Sequence, residues 1–311
     1  MGLNPSKIFT GMKFFLDSIH IPFVGISLFK LFEVYVAGIF KNQILKEATS
    51  ISWSLFMSIF PFILFMLSLL PYLPHYESLQ SYIFDVLMVK ILPENILDDV
   101  TDYLKTYIIP NIEKLNKFTL LLALIFGANG AYAFIAGFNA NTQKKRHFVV
   151  EYILSFGITI AFVVVIIFSF LGIYYSEVVL KVFTPKQEVS GWFVNNLSEI
   201  IGYFSFPLFY FALLVLFYWV GSIEMTKWVQ AIPGAGLSTV LFLLLTYLFA
   251  IYLRNFARYN FLYGSIGSIL IVMIWLNINV IVILLGNELN LVIKKMRLKK
   301  LHADQSKEIR K

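Results

Sequence analysis

The chain has 311 residues, 59% of them hydrophobic and 14% charged, with a net charge of +7 and a mean hydropathy of +0.78. Soluble domains run nearer about 45–50% apolar and about 25% charged, so the composition excludes an ordinary water-soluble domain and predicts an all-α, polytopic integral membrane bundle. The absence of cysteine excludes a disulfide framework, thiolate metal sites and a cysteine nucleophile.

In chain order, residues 1–47 come first. They lack the compact basic, apolar and small-residue pattern of a cleavable signal, while MGLNPS matches the short myristoylation pattern through Gly2 and Ser6. Ile8, Phe9, Met12, Phe15, Leu16 and Ile19 recur at helical spacing. After Pro22, a second stripe comprises Leu28, Leu31, Phe32, Tyr35, Val36, Ile39 and Phe40, with Lys30 and Glu33 on its other side. Two amphipathic helices lying at the membrane interface are expected. The competing reading makes 24–40 a seventh span.

A bilayer core of ~30 Å takes about 20 mainly apolar residues in a helix. Six segments qualify, near 48–72, 118–140, 149–175, 200–221, 233–252 and 264–293. Helix is the expected state because backbone polar groups in lipid need partners within the segment, and none of these runs shows the alternation of barrel strands. The 73–117 loop carries helically spaced Leu79, Ile83, Leu87 and Ile91, then Ile96, Val100, Tyr103 and Tyr107, punctuated by Pro93 and Pro110. Short extracytoplasmic helices capping the outer mouth of the bundle are expected there, with a plain spacer as the alternative.

Lysine and arginine set the orientation. The segments before span one, between spans two and three, between spans four and five, and after span six carry seventeen of them; the other side carries eight. Both termini are therefore expected in the cytoplasm, with 294–311 a basic tail. The basic pI of about 9.3 then reflects topology and contact with anionic lipid. Nucleic acid is not an expected partner, because no aqueous domain with interleaved basic and aromatic residues is present.

Within the spans, SWSLFMSIFPF places Pro61 as a kink or hinge, with Ser54 and Ser58 on a similar face to satisfy freed carbonyls or line a groove. GANGAYAFIAGFNAN gives a small-residue packing face of Gly130, Ala133, Gly137 and Ala140, while Asn129 and Asn139 lie off it and are expected to bond to neighbouring helices. In RNFARYNFLYGSIGS, Gly264, Ser265 and Gly267 open the last helix and Arg254 and Arg258 precede it, an arrangement that could hold an anion or simply form a tight turn. The last span, WLNINVIVILLGNELN, sets Asn277 and Glu288 within about 20° of each other, and Asn279 and Asn290 repeat that offset on nearly the opposite side. One stripe is a candidate path or gate and the other interhelical glue; Glu288 falls near the inner boundary.

No enzyme is expected. His20, His75, His147 and His302 are scattered, and HExxH, a Ser-His-Asp grouping and a P-loop are all missing. Neither a metal nor a cofactor is expected.

WSLFMSIFP, GANGAYAFIAGFN and YGSIGSILIVMIWLNINVIVILLGNELN together resemble the YihY/BrkB family of bacterial inner-membrane proteins. Matching positions are Ser58, Pro61, Asn129, Gly130, Tyr263, Gly264, Gly267, Trp275, Gly286 and Glu288. The resemblance implies six spans, cytoplasmic ends and no settled activity, with transport a common suggestion; the family's former ribonuclease BN label counts as a misassignment. The chain departs from many members at Gly137 to Thr142, where they carry an arginine, and at WVGSIEMTKW, where they carry proline and basic residues.

The expected function is a transporter or flippase-like permease for an amphiphilic or anionic small molecule, with Asn277, Glu288, Asn279, Asn290, Asn129 and Ser58 along its path or gate. The alternative is a scaffold that organises envelope lipids or partner proteins. A homo-oligomer is compatible with either.

Overall fold

Apolar residues run on at helical length through most of the chain, and the backbone answers with helix. The computed structural model describes residues 17–18, 27, 29, 42–73, 77, 80–81, 83–88, 94–112, 117–140, 142, 144–183, 206–256 and 260–308, among which there is no strand. The long helices are α1 (Asn42–Leu69), α3 (Lys117–Asn139), α4 (Phe148–Phe183), α6 (Ile232–Phe256) and α7 (Asn260–Glu308). Each holds a stretch long and apolar enough to cross a membrane. A shorter apolar helix, α5, covers Phe206–Gly221; positions 200–205 of the expected fourth span lie outside the described residues. The expected N-terminal helices also lie almost wholly outside them, apart from Asp17, Ser18, Ser27 and Phe29, where the Ser27 hydroxyl donates to the Asp17 carboxylate at 2.7 Å.

The 73–117 loop holds short helices. Ile83–Leu87 forms one π-helical turn; α2 (Glu94–Tyr103) is continued by another, Leu104–Ile108, and by Ile109–Ile112. Lys105 pairs with Asp85 at 3.8 Å and stands 5.2 Å over the Phe84 ring. The pair is exposed, so it contributes about 0–1 kcal/mol.

The outer surface of the long helices is apolar. Trp53, Met57, Phe60, Ile63 and Leu64 are exposed along α1, and Val240, Leu243, Leu244, Tyr247, Leu248 and Ile251 along α6. An apolar surface that continuous is an aggregation liability in water and the required outer face in lipid.

The chain divides into two compact units. One comprises Ser54–Ala133 and Phe148–Phe209. In it α1 meets α3 at glycines: a Cβ on Gly127 would touch Phe62, and one on Gly130 would touch Leu55 and Ser58. Tyr152 of α4 donates its hydroxyl to the Ile125 carbonyl of α3 at 3.0 Å, and Phe162 of α4 packs against Phe62 of α1 with ring centres 5.5 Å apart. Pro61 lies inside α1 without ending it. The carbonyl that proline frees belongs to Met57, four residues back. The Ser58 hydroxyl donates instead to the Ser54 carbonyl at 2.7 Å, so Ser58 does not fill the gap that Pro61 leaves. Asn129 is exposed.

The other unit comprises Met1–Trp53, Phe134–His147 and Tyr210–Lys311. It holds the closest helix packing among the described residues, where α6 crosses α7. A Cβ on Gly234 would overlap the Gly286 carbonyl oxygen, and a Cβ on Gly286 would overlap the hydroxyls of Ser238 and Tyr218. On another side of this unit, Gly137 of α3 admits Ile51 of α1 and Leu284 of α7.

One expectation is overturned. Gly264, Ser265 and Gly267 do not open the last helix. α7 starts at Asn260, and all three lie inside it. Asn260 to Tyr263 supply a turn ahead of the glycine pair, so the amides of 264–268 have acceptors four residues back and are not free for an anion. The Arg254, Arg258 and Ser265 side chains lie outside the described residues.

Candidate functional site

The polar residues of α7 fall into three groups in one unit: clamped, bridging and unpartnered.

The clamped group binds α7 to α6 and α5. Asn290, 1% exposed, accepts the Gly234 N–H at 2.7 Å and donates to the Ala231 carbonyl at 3.2 Å. Gly234 sits in the first turn of α6, where N–H groups have no acceptor inside the helix. Asn290 therefore caps the start of α6 from a different helix, behind Pro233, which suits a first turn. One turn on along α6 and two turns back along α7, the Tyr218 hydroxyl donates to the Ile283 carbonyl at 2.8 Å and lies 2.9 Å from the Ser238 hydroxyl, which donates to the Val282 carbonyl at 3.1 Å. The two glycines let these hydroxyls reach the α7 backbone.

The bridging group is Asn277, whose amide donates to the Ser52 hydroxyl of α1 at 3.2 Å; Ser52 in turn donates to the Ala48 carbonyl at 2.5 Å. Asn277 is half-buried, as is Glu288 on the same side of α7. The two stripes of α7 thus do different things. Asn279 and Asn290 lie on the side that meets α6, and Asn277 meets α1.

The third group is unpartnered. Among the described residues, the Asn279 carbonyl oxygen, the Asn287 carbonyl oxygen and the Trp275 indole N–H are buried without a hydrogen-bond partner. The Asn279 amide nitrogen donates to the Trp275 carbonyl at 2.7 Å. That carbonyl can only accept, which fixes the amide orientation and leaves the oxygen as the orphan. An unmet polar group away from water costs about 1–3 kcal/mol.

At the end of this unit near Asn290, the last carbonyls of α5 are closed by two side chains from the α3–α4 segment. Asn139 donates to the Gly221 carbonyl at 2.9 Å and accepts the Ile223 N–H at 2.9 Å. Arg146 donates to the Val220 carbonyl at 2.9 Å and to that of Gly221 at 3.3 Å. A cation at a helix C-terminus is favoured by the helix dipole. Lys294 of α7 donates to the Glu224 backbone carbonyl and pairs with its carboxylate at 3.4 Å. Gln230 closes the turn before α6 by accepting the Thr226 N–H at 3.0 Å. Lys144, Lys145, Lys227 and Trp228 stay exposed on these fastened loops.

Sequence reasoning missed Tyr218, Ser238 and Gly234, and read Arg146 as a charge for orientation and anionic lipid. The signals were faint: a small residue in IPGAG and lone hydroxyls in apolar runs. Of the anticipated path residues, Asn277, Asn279, Glu288 and Asn290 come from one helix of this unit, whereas Asn129 and Ser58 belong to the other. No group of three or more His, Asp or Glu that could hold a metal occurs among the described residues.

The profile of the virulence factor BrkB family matches residues 36–310. The chain belongs to that family. Its relatives include a protein named ribonuclease-like, YfkH, of Bacillus subtilis (strain 168), 26% identical over 271 residues that cover 85% of this chain and 96% of YfkH. A UPF0761 membrane protein of Coxiella burnetii (strain Dugway 5J108-111) is 26% identical over 250 residues, 77% of this chain and 84% of that one. A UPF0761 membrane protein of Prosthecochloris aestuarii is 24% identical over 254 residues, 80% of this chain and 57% of that one. No solved structure matches. The family and the five apolar helices make this a multi-pass membrane protein.

Proposed function

We propose that this BrkB-family protein is a permease of the flippase type for an amphiphilic small molecule, with α7 as its polar element. The reading rests on one observation. α7 carries more polar groups than its packing uses, since Asn290 is engaged with α6 and Asn277 with α1, yet Asn279, Asn287 and Trp275 each keep a buried atom unpartnered. Polar groups that only hold helices together are partnered. A group that meets a passing guest is left open between passages.

In this reading the chain has six spans, α5 completing the set, both termini face the cytoplasm, and the membrane is the bacterial inner membrane. The lysine and arginine distribution supports that orientation. Residues 1–47 then lie at the inner interface, 73–117 form the outer cap, and anionic lipids meet the inner face. Glu288, half-buried toward the inner end of α7, is the gate, and Asn277 lies beside the path.

The test is translocation in proteoliposomes, with fluorescent phosphatidylglycerol and phosphatidylcholine as probes and surface quenching as the readout. Saturable movement that drops in Glu288→Gln and Asn277→Leu supports the reading. A folded, reconstituted protein that moves neither probe, or moves both unchanged in the variants, overturns it. The scaffold alternative draws on the exposed Lys144, Lys145, Lys227 and Trp228, a surface for anionic head groups, and predicts lipid retention without translocation.

A further inference from the structure

We propose that the Trp275–Asn279 turn of α7, flanked by aromatic rings of α5 and α6, is a binding site for the hydroxyl group of a neutral, lipid-like amphiphile that enters from the bilayer. It deepens the permease reading, but binding itself does not require translocation.

The chemistry of the guest follows from the two orphans. Trp275 offers one N–H donor and Asn279, 7% exposed, one carbonyl acceptor. They stand on one face of α7, four residues or about 6 Å of rise apart. A hydroxyl both accepts from an N–H and donates to an oxygen, so one such group can serve a donor and an acceptor that share a face. A carboxylate or phosphate only accepts, and would set its charge against the Asn279 oxygen. The cation Lys294 is fifteen residues, about 22 Å, farther along α7 and paired with Glu224. An ammonium only donates, and would leave the indole N–H unmet. A hydroxyl answers both atoms.

The flanking residues select the rest of the guest. Tyr210 of α5 stacks on Phe242 of α6 at 4.4 Å, and Phe242 and Phe249 stand 6.1 and 6.0 Å from the Trp275 ring. These rings are half-buried, so one edge of the cluster meets the lipid. Leu248, Tyr252 and Ile274 beside them are exposed. With rings and exposed apolar side chains bordering the orphan pair, a hydroxyl carried on an apolar body fits better than water alone.

The experiment uses the full chain in phosphatidylcholine nanodiscs with three probes, each with a diazirine in an acyl chain: a diacylglycerol, its O-methyl ether and a free fatty acid. After irradiation, adducts are mapped by peptide mass spectrometry. The diacylglycerol should label peptides around Phe242–Phe249 and Ile274–Asn279 several-fold more than the ether or the acid. Asn279→Leu and Trp275→Phe should each reduce that labelling to the ether level while the melting temperature holds. Equal labelling by alcohol and ether, or labelling unaffected by both substitutions, overturns the site. Loss of translocation with labelling intact counts against the permease reading alone; the reverse counts against this site alone.

Discussion

Gly234 and Gly286 face each other so closely at the α6–α7 crossing that a Cβ on Gly234 would overlap the Gly286 carbonyl oxygen and press on the Asn290 amide. Close backbone approach is a principal way for helices to associate in lipid, where hydrophobic burial no longer distinguishes contact from separation. Gly234→Ala and Gly286→Ala should each destabilise the protein by about 1–3 kcal/mol, the range of overpacking. Thermal unfolding in detergent, followed by size-exclusion fluorescence, reads this directly. Gly157→Ala is the control: its Cβ meets nothing within 4 Å, so replacing a mid-helix glycine there should raise stability by about 0.5–1 kcal/mol.

The two asparagines on the α6 side of α7 should respond in opposite directions. Asn290→Leu strands the Gly234 N–H and removes a donor from the Ala231 carbonyl, so stability should fall by about 1–3 kcal/mol. Asn279→Leu removes an unpartnered oxygen and only a local bond to Trp275, so its melting temperature should hold or rise. Equal losses for both would show that neither residue's partners matter.

Tyr218→Phe keeps the ring and removes the hydroxyl shared by Ser238 and Ile283. A loss of about 1 kcal/mol is expected. In a double-mutant cycle with Ser238→Ala, the coupling should be about 0.6 kcal/mol, the usual scale for hydrogen bonds between membrane helices. Additive single effects would mean that the two hydroxyls act independently.

Lys294 ties α7 to the 222–227 turn through Glu224. Lys294→Met and Glu224→Gln should both expose that turn to proteolysis, with the lysine change the larger because it also releases the backbone carbonyl. The exchanged pair, Lys294→Glu with Glu224→Lys, should restore part of the protection. Identical cleavage rates across the set would remove the tie from the account.

Hydropathy placed the long helices because a membrane-spanning segment must be apolar for its whole length, so length and composition coincide with structure. Ends were less legible. α1 begins at Asn42 rather than near 48, because NQILKE is polar yet forms helix readily beyond an apolar stretch. The start of α7 was misplaced because a glycine pair reads as a breaker, although one preceding turn suffices to carry the helix through it. The face shared by Asn279 and Asn290 follows from 100° per residue alone. Their different states do not follow, because Asn290 meets the open Gly234 N–H at the start of α6, whereas the Asn279 oxygen meets no partner among the described residues. That distinction belongs to the packing of α6 on α7, which no local pattern encodes.

α7 runs unbroken for 49 residues, about 73 Å, whereas the apolar layer it crosses is only ~30 Å deep. Beyond its apolar stretch it continues to Glu308 as a stiff arm. A dipole-oriented fluorophore fixed near His302 would inherit the tilt of the buried part, so polarised emission from oriented bilayers would report the attitude of Asn279 and Glu288 without a label near either.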